Sequence, residues 1–119
     1  MSLNKYFISL VLIFFILPSS HADQVAVTDG DTIRIGDERI RFSGIDAPEL
    51  KQTCLYHDIE FQCGEFSKNL LIEKIANQNI NCIREGKDQY GRTLAECFIG
   101  TESLSSYLVL KGYAFAYRK

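Results

Sequence analysis

The sequence predicts an α+β domain that is mostly β: a small five-stranded Greek-key barrel with a helix inserted after its third strand and a short helix near the end. Three observations predict it. Apolar residues alternate over 32–45, with Ile33 and Ile35 on one face of one strand and Ile40 and Phe42 on one face of the next, the period-two mark of half-buried strands. Over 64–77 the pattern changes: Phe66, Leu70 and Ile75, with Leu71 or Ala76 beside them, form a one-sided helical stripe. Two further strand-like runs, 80–84 and 94–99, flank a turn at 86–92.

Taken in order, 24–28 reads as the first strand and Asp29-Gly30-Asp31 as a turn, with the second strand at 32–35. Gly36-Asp37-Glu38 makes a hairpin loop, because Gly and Asp tolerate the backbone angles it needs. The third strand, 39–45, carries Arg39, Arg41 and Ser43 opposite Ile40 and Phe42, so Arg41 sits on a strand whose other face is buried. Ala47-Pro48 ends it, and a polar loop with Cys54 and Cys63 leads to the helix. After the last two strands, 101–111 reads as a short helix with Leu104 and Leu108 on one side and Gly112 as its stop. This order is that of the OB-fold; spacing leaves other small α+β folds open.

The first residues are read apart from the fold. Lys5 is the only charge before Asp23, residues 6–17 are apolar except for Ser9, and Ser20-His21-Ala22 is a small-x-small ending. That is the pattern of a signal peptide over 1–22, cleaved after Ala22, and the run is too short for a membrane span. One domain, 23–119, follows, near the lower size limit for a self-sufficient core. Without Lys5 the formal charge is one unit more negative than the −2 of the whole chain, which argues against broad electrostatic capture of nucleic acid but allows a local positive site.

Cys54, Cys63, Cys82 and Cys97 are an even set in an exported chain, and so are expected as disulfides. If the last hairpin turns between Gln89 and Tyr90, Cys82 faces Cys97, within bridging distance; Cys54 is left for Cys63. With no CxxC, and with His21 in the signal and His57 in a loop, a structural zinc site is not expected.

Chemistry concentrates in three clusters: Asp29-Gly30-Asp31-Thr32, Arg41 through Asp46-Ala47-Pro48-Glu49, and Asp88-Gln89-Tyr90-Gly91-Arg92. Carboxylates supply hard oxygen ligands suited to Ca²⁺ or Mg²⁺, and guanidinium forks grip phosphate oxygens in pairs. Pro48 stiffens the spacing of Asp46 and Glu49, so that one can bind metal while the other handles a water. Together these point to chemistry on a phosphodiester.

On these blocks, in this order, the chain resembles the thermonuclease (staphylococcal nuclease-like) family over 25–117. The resemblance implies an OB-fold and Ca²⁺-dependent cleavage of DNA and RNA. It implies Asp31, Asp46 and the carbonyl of Ala47 as calcium ligands, although the family usually has threonine at the last position. It implies Glu49 as general base, Arg41 and Arg92 on the phosphate, and Tyr90 and Tyr117 near the nucleotide. A secreted or periplasmic monomer without a membrane anchor is expected. Relatives of this type continue with another helix, whereas this chain stops at Lys119; the expectation is less buried area, offset in part by two disulfides. Two rivals stand beside the enzyme: a non-catalytic nucleic-acid- or protein-binding OB-fold module or truncated inactive fragment, and a small secreted interaction protein.

Overall fold

Alternation becomes pairing in the first three strands, β1 (Val25–Asp29), β2 (Thr32–Ile35) and β3 (Glu38–Phe42). Each pairs antiparallel with the next, and Ile33 lies opposite Ile40. The computed structural model describes residues 11–17 and 24–117. The expected cleavage point after Ala22 lies outside the described residues. Residues 11–17 form no helix or strand and are exposed, and among the described residues no helix is long and apolar enough to cross a membrane.

The remaining elements are β4 (Ile45–Asp46), β5 (Cys54–Tyr56), β6 (Ile59–Phe61), α1 (Cys63–Ile75), β7 (Ile80–Lys87), β8 (Thr93–Ile99), β9 (Glu102–Ser103), α2 (Leu104–Leu110) and β10 (Phe115–Ala116). Five strands form the main sheet in the order β1-β2-β3-β8-β7, with β9 beside β8. β3 and β8 run parallel, which requires a long crossover; the β5–β6 hairpin and α1 supply it. β1 and β7 are the two edges, so the barrel is open, as OB-folds are. Its core is Ile33, Ile40, Phe42, Leu71, Ala95, Cys97, Leu104 and Leu108, all without exposure.

Several boundaries differ from the sequence reading, each for a local reason. The third strand is not continuous to residue 45: Gly44 takes a positive φ of 76°, and the chain kinks before β4. The supposed loop at 54–63 contains the β5–β6 hairpin, whose ends are tied by Cys54–Cys63. The helix buries Cys63, Gly64, Ser67, Leu71 and Ile75 rather than Phe66 and Leu70; Phe66 is exposed. Small residues make that face because the backbone lies so close: a Cβ on Gly64 would fall 1.8 Å from the Glu49 carbonyl oxygen. β9 and β10 were not expected, and α2 begins later than residue 101, with Ser103 as its N-cap accepting from the Ser106 N–H.

Cys82 and Cys97 are direct cross-strand partners and are bonded. A bulge between Arg84 and Gly86 then shifts the pairing, and β7 runs on to Lys87. The closed loop spans 15 residues, for which chain entropy gives about 3 kcal/mol. Replacing both cysteines by alanine is expected to lower stability by about that amount, read as a lower urea midpoint. An unchanged midpoint would mean that the bridge adds nothing to the hairpin.

Candidate active site

Asp31 follows the tight Asp29-Gly30 turn between β1 and β2, where the Asp29 Oδ1 accepts from the Asp31 N–H at 3.1 Å. The turn is pressed inward, because a Cβ on Gly30 would lie 2.9 Å from the Cβ atoms of Ala47 and Ser67. The Asp31 side chain is therefore only 8% exposed. Its Oδ1 accepts from the Thr32 hydroxyl at 2.9 Å, and its Oδ2 accepts from the Ala47 N–H at 2.9 Å.

Arg41 reaches the same place from the outward face of β3. Its Nη1 lies 3.1 Å from Asp31 Oδ2 and donates to the Ile45 carbonyl at 3.0 Å, while its Nη2 donates to Asp46 Oδ1 at 3.2 Å. One guanidinium thus bridges a buried carboxylate and an open one, Asp46 being 70% exposed. Asp31, Arg41, Asp46 and Ala47 form one cluster.

The Asp31 carboxyl is pushed up to about 6, first by burial and then by its neighbour Asp29, against the Ala47 N–H and Arg41. A carboxyl raised in the folded state favours folding below its unfolded pKa and loses that stabilisation as pH rises through about 6. Metal-free protein is therefore expected to lose about 2 kcal/mol between pH 4 and pH 7.5 from this group. Thermal unfolding across that range, compared with Asp31→Asn, checks it; parallel pH profiles of the two proteins would refute it.

Arg92 is positioned by its own turn. Asp88 Oδ1 accepts from the backbone N–H groups of Tyr90 and Arg92, and Oδ2 holds the Arg92 Nε at 2.7 Å. Burial pushes the Asp88 carboxyl up, but the bonds from Arg92 and Tyr90 hold it below its usual value. Among the described residues the two Nη groups of Arg92 have no protein acceptor, and its guanidinium lies 5.4 Å from the centre of the exposed Tyr90 ring. The sheet brings this turn near the cluster: Arg92 directly precedes β8, in which Leu94 pairs with Arg41.

Glu49 sits on a pinned backbone, its N–H donating to Gln52 Oε1 at 3.2 Å and its carbonyl accepting from the Gln52 N–H at 2.8 Å. Its side chain is exposed and, among the described residues, makes no hydrogen bond or ion pair. Tyr117 follows β10, which pairs with β4 so that Phe115 faces Asp46, and the Tyr117 N–H donates to the Gly44 carbonyl at 3.0 Å. No contact joins Glu49, Arg92 or Tyr117 to the Asp31 carboxylate among the described residues. Asp88 and Gln52 were not singled out from sequence as positioning residues. For Asp88 a signal exists, an Asp that opens a turn four residues before an Arg.

The hard oxygens gathered here are those of two carboxylates, Asp31 and Asp46, both held by Arg41; Ala47 meets the cluster through its N–H. Among the described residues no three acidic, histidine or cysteine side chains converge as a ready-made cage, so most of the six to eight oxygens that Ca²⁺ takes would come from water or substrate. A buried, raised carboxyl beside a second carboxylate is nevertheless a site short of positive charge, and that fits a hard cation.

A family model described as "Staphylococcal nuclease homologue" matches residues 39–119. Succinoglycan biosynthesis protein ExoI of Rhizobium meliloti is 39% identical, over 63% of this chain and 40% of that protein. An uncharacterized endonuclease of Haemophilus influenzae is 31% identical over 93% of this chain and 63% of its own length. A thermonuclease of Staphylococcus intermedius is 38% identical over 76% of this chain and 55% of its own length. The chain thus spans less than two thirds of the length of each of these relatives.

Proposed function

The chain belongs to the staphylococcal nuclease family, and from that premise we propose that it is a secreted or periplasmic, Ca²⁺-dependent, monomeric nuclease that hydrolyses phosphodiester bonds of DNA and RNA. The observation that carries the reading is the Asp31–Arg41–Asp46 cluster near the Arg92 turn. Two carboxylates and two guanidinium groups close together in one small barrel support a site for a cation and a phosphate. Residues 1–22 would serve as the export signal, and two disulfides suit an oxidising compartment.

Asp31, Asp46 and the Ala47 carbonyl would hold the calcium ion, which when bound acts as a Lewis acid on a phosphoryl oxygen. The remaining work belongs to the chain. Attack of water raises the charge on the phosphoryl group from −1 toward −2. Arg92, with its Nε fixed by Asp88 and its Nη groups without an acceptor among the described residues, would take that charge with little reorientation as it develops. Arg41 would supply the second fork. Glu49, three residues from Asp46 and without an ion-pair partner among the described residues, would accept the proton of the attacking water. Tyr90 and Tyr117 would flank the nucleotide, Tyr90 by stacking. Products would carry 3′-phosphate ends.

The test is digestion of single-stranded DNA and of RNA with Ca²⁺ and again with chelator, with the ends of the products identified. Calcium-dependent cleavage leaving 3′-phosphates is expected. Calcium-independent cleavage would remove the metal from the reading, and no cleavage of either polymer would return the chain to the non-catalytic module.

A further inference from the structure

The outward face of the β2–β3 hairpin holds more cationic charge than the cluster uses. Arg34 and Arg39 are direct cross-strand partners, and both are exposed. Like charges directly opposite each other destabilise a sheet, so this pair needs a reason. Arg39 lies two residues from Arg41 on the same face of β3, and its neighbour Ile40 pairs with Thr93, the residue after Arg92. Its Nη2 donates to the Tyr90 carbonyl at 2.6 Å, which ties it to the Arg92 turn. Arg34 and Arg39 thus form a row across β2 and β3, which the Tyr90 bond ties to the turn that carries Arg92 just before β8, with Arg41 two residues along β3.

Apart from Asp37 at the exposed tip of the hairpin, the acidic groups around this row are committed or distant. Asp88 holds Arg92, Asp31 and Asp46 hold Arg41, and Glu38 is engaged by Arg84. Glu96 shares the face but lies four residues beyond Arg92 on β8. Among the described residues neither Arg34 nor Arg39 has an ion-pair partner, although the whole chain is acidic, at −2. Neighbours across strands stand about 4.8 Å apart, and side chains two along a strand roughly 6.8 Å apart. That span lets an extended strand continue from one guanidinium to the next.

We infer that Arg34 and Arg39 form a second phosphate subsite, continuous with Arg92 and Arg41, that holds the flanking nucleotides of a single-stranded polynucleotide. This rests on the nuclease reading for its substrate class. It makes strand length a determinant of affinity: a dinucleotide fills the Arg41–Arg92 region, and a longer strand also covers the arginine pair. Tyr90 sits between the two regions, where a base can stack as the backbone crosses.

Fluorescence anisotropy with labelled oligothymidylates, dimer to dodecamer, in chelator and across a salt series, tests it. Wild-type affinity is expected to rise with length. The Arg34→Gln/Arg39→Gln protein is expected to bind the dodecamer about tenfold more weakly, with a salt slope shallower by about 1.4, or 0.7 for each lost phosphate contact. Arg34→Gln, which among the described residues has no side-chain hydrogen bond or ion pair to lose, is expected to lose about threefold, so the result does not hinge on the Arg39–Tyr90 bond. Lys51→Gln/Lys68→Gln removes the same charge from the loop and helix and is expected to track wild type. Wild-type dodecamer affinity in the double arginine variant, an equal loss in the lysine variant, or a wild type whose affinity ignores length would each overturn the subsite. A wild type that shows the expected binding but never cleaves with Ca²⁺ would sink the hydrolase reading and leave the subsite supported.

Discussion

Arg41→Ala is expected to lose about 10²–10³ in cleavage rate and, separately, about 3–5 kcal/mol of folding stability. The two losses have different origins. The Arg41 and Asp31 side chains are 12% and 8% exposed, so this pair is largely shielded from water. Truncating the arginine leaves a buried carboxylate whose remaining partners are the Ala47 N–H and the Thr32 hydroxyl. Two carbonyls also lose a donor, those of Phe42 and Ile45. The stability loss is expected to shrink below pH 6, because Asp31, already pushed up to about 6, can then take a proton instead of carrying an unpaired charge. Arg41→Lys keeps a charge but not the fork that spans Asp31 and Asp46, so it is expected to recover part of the stability and little of the rate. Urea denaturation at pH 5 and pH 7.5, alongside oligonucleotide cleavage, measures both. An alanine variant as stable as the parent at pH 7.5 would show that the bridge is not what holds the turn to β4.

Much of this was legible in the sequence, because the chain's strongest patterns are local. The alternation around Ile33 and Ile40 gave the strands, and hairpin symmetry placed Cys82 opposite Cys97. What escaped had its cause elsewhere in the chain. The buried face of α1 runs through Gly64 and Ser67, which no count of apolar residues selects; they are there because the Glu49–Leu50 backbone and the Gly30 turn lie against them. β10 exists because it pairs with β4, a contact across some 70 residues that carries no sequence period. The Asp-Gly-Asp-Thr and Arg41–Glu49 blocks marked the cluster as a set of residue types. The sequence held no sign that Arg41 would bridge both carboxylates while Arg92 kept its Nη groups open, since Asp31 and Asp46 are far from each other along the chain and Asp88 is close to Arg92. Local pairs were readable, and the division of labour between the two arginines was not.

That division sets up the second large effect, which separates chemistry from folding. Glu49→Gln is expected to cut the cleavage rate by about 10²–10³, within the range for a positioned proton acceptor, with no measurable change in melting temperature. Among the described residues the carboxylate has no partner to lose. The features that fix Glu49 are backbone features, namely its N–H and carbonyl on Gln52 and the approach of Gly64, and glutamine leaves all of them in place. Because the change acts on proton transfer, the loss is expected in kcat, with strand affinity in chelator near the parent's. Gly64→Ala is the converse case. Its Cβ would collide with the Glu49 carbonyl, so it is expected to displace the loop and lower stability and rate together. If Glu49→Gln instead melts lower than the parent, Glu49 is a structural residue. If it cleaves at the parental rate, the proton goes elsewhere, and the cluster binds phosphate without an acid–base partner at this position.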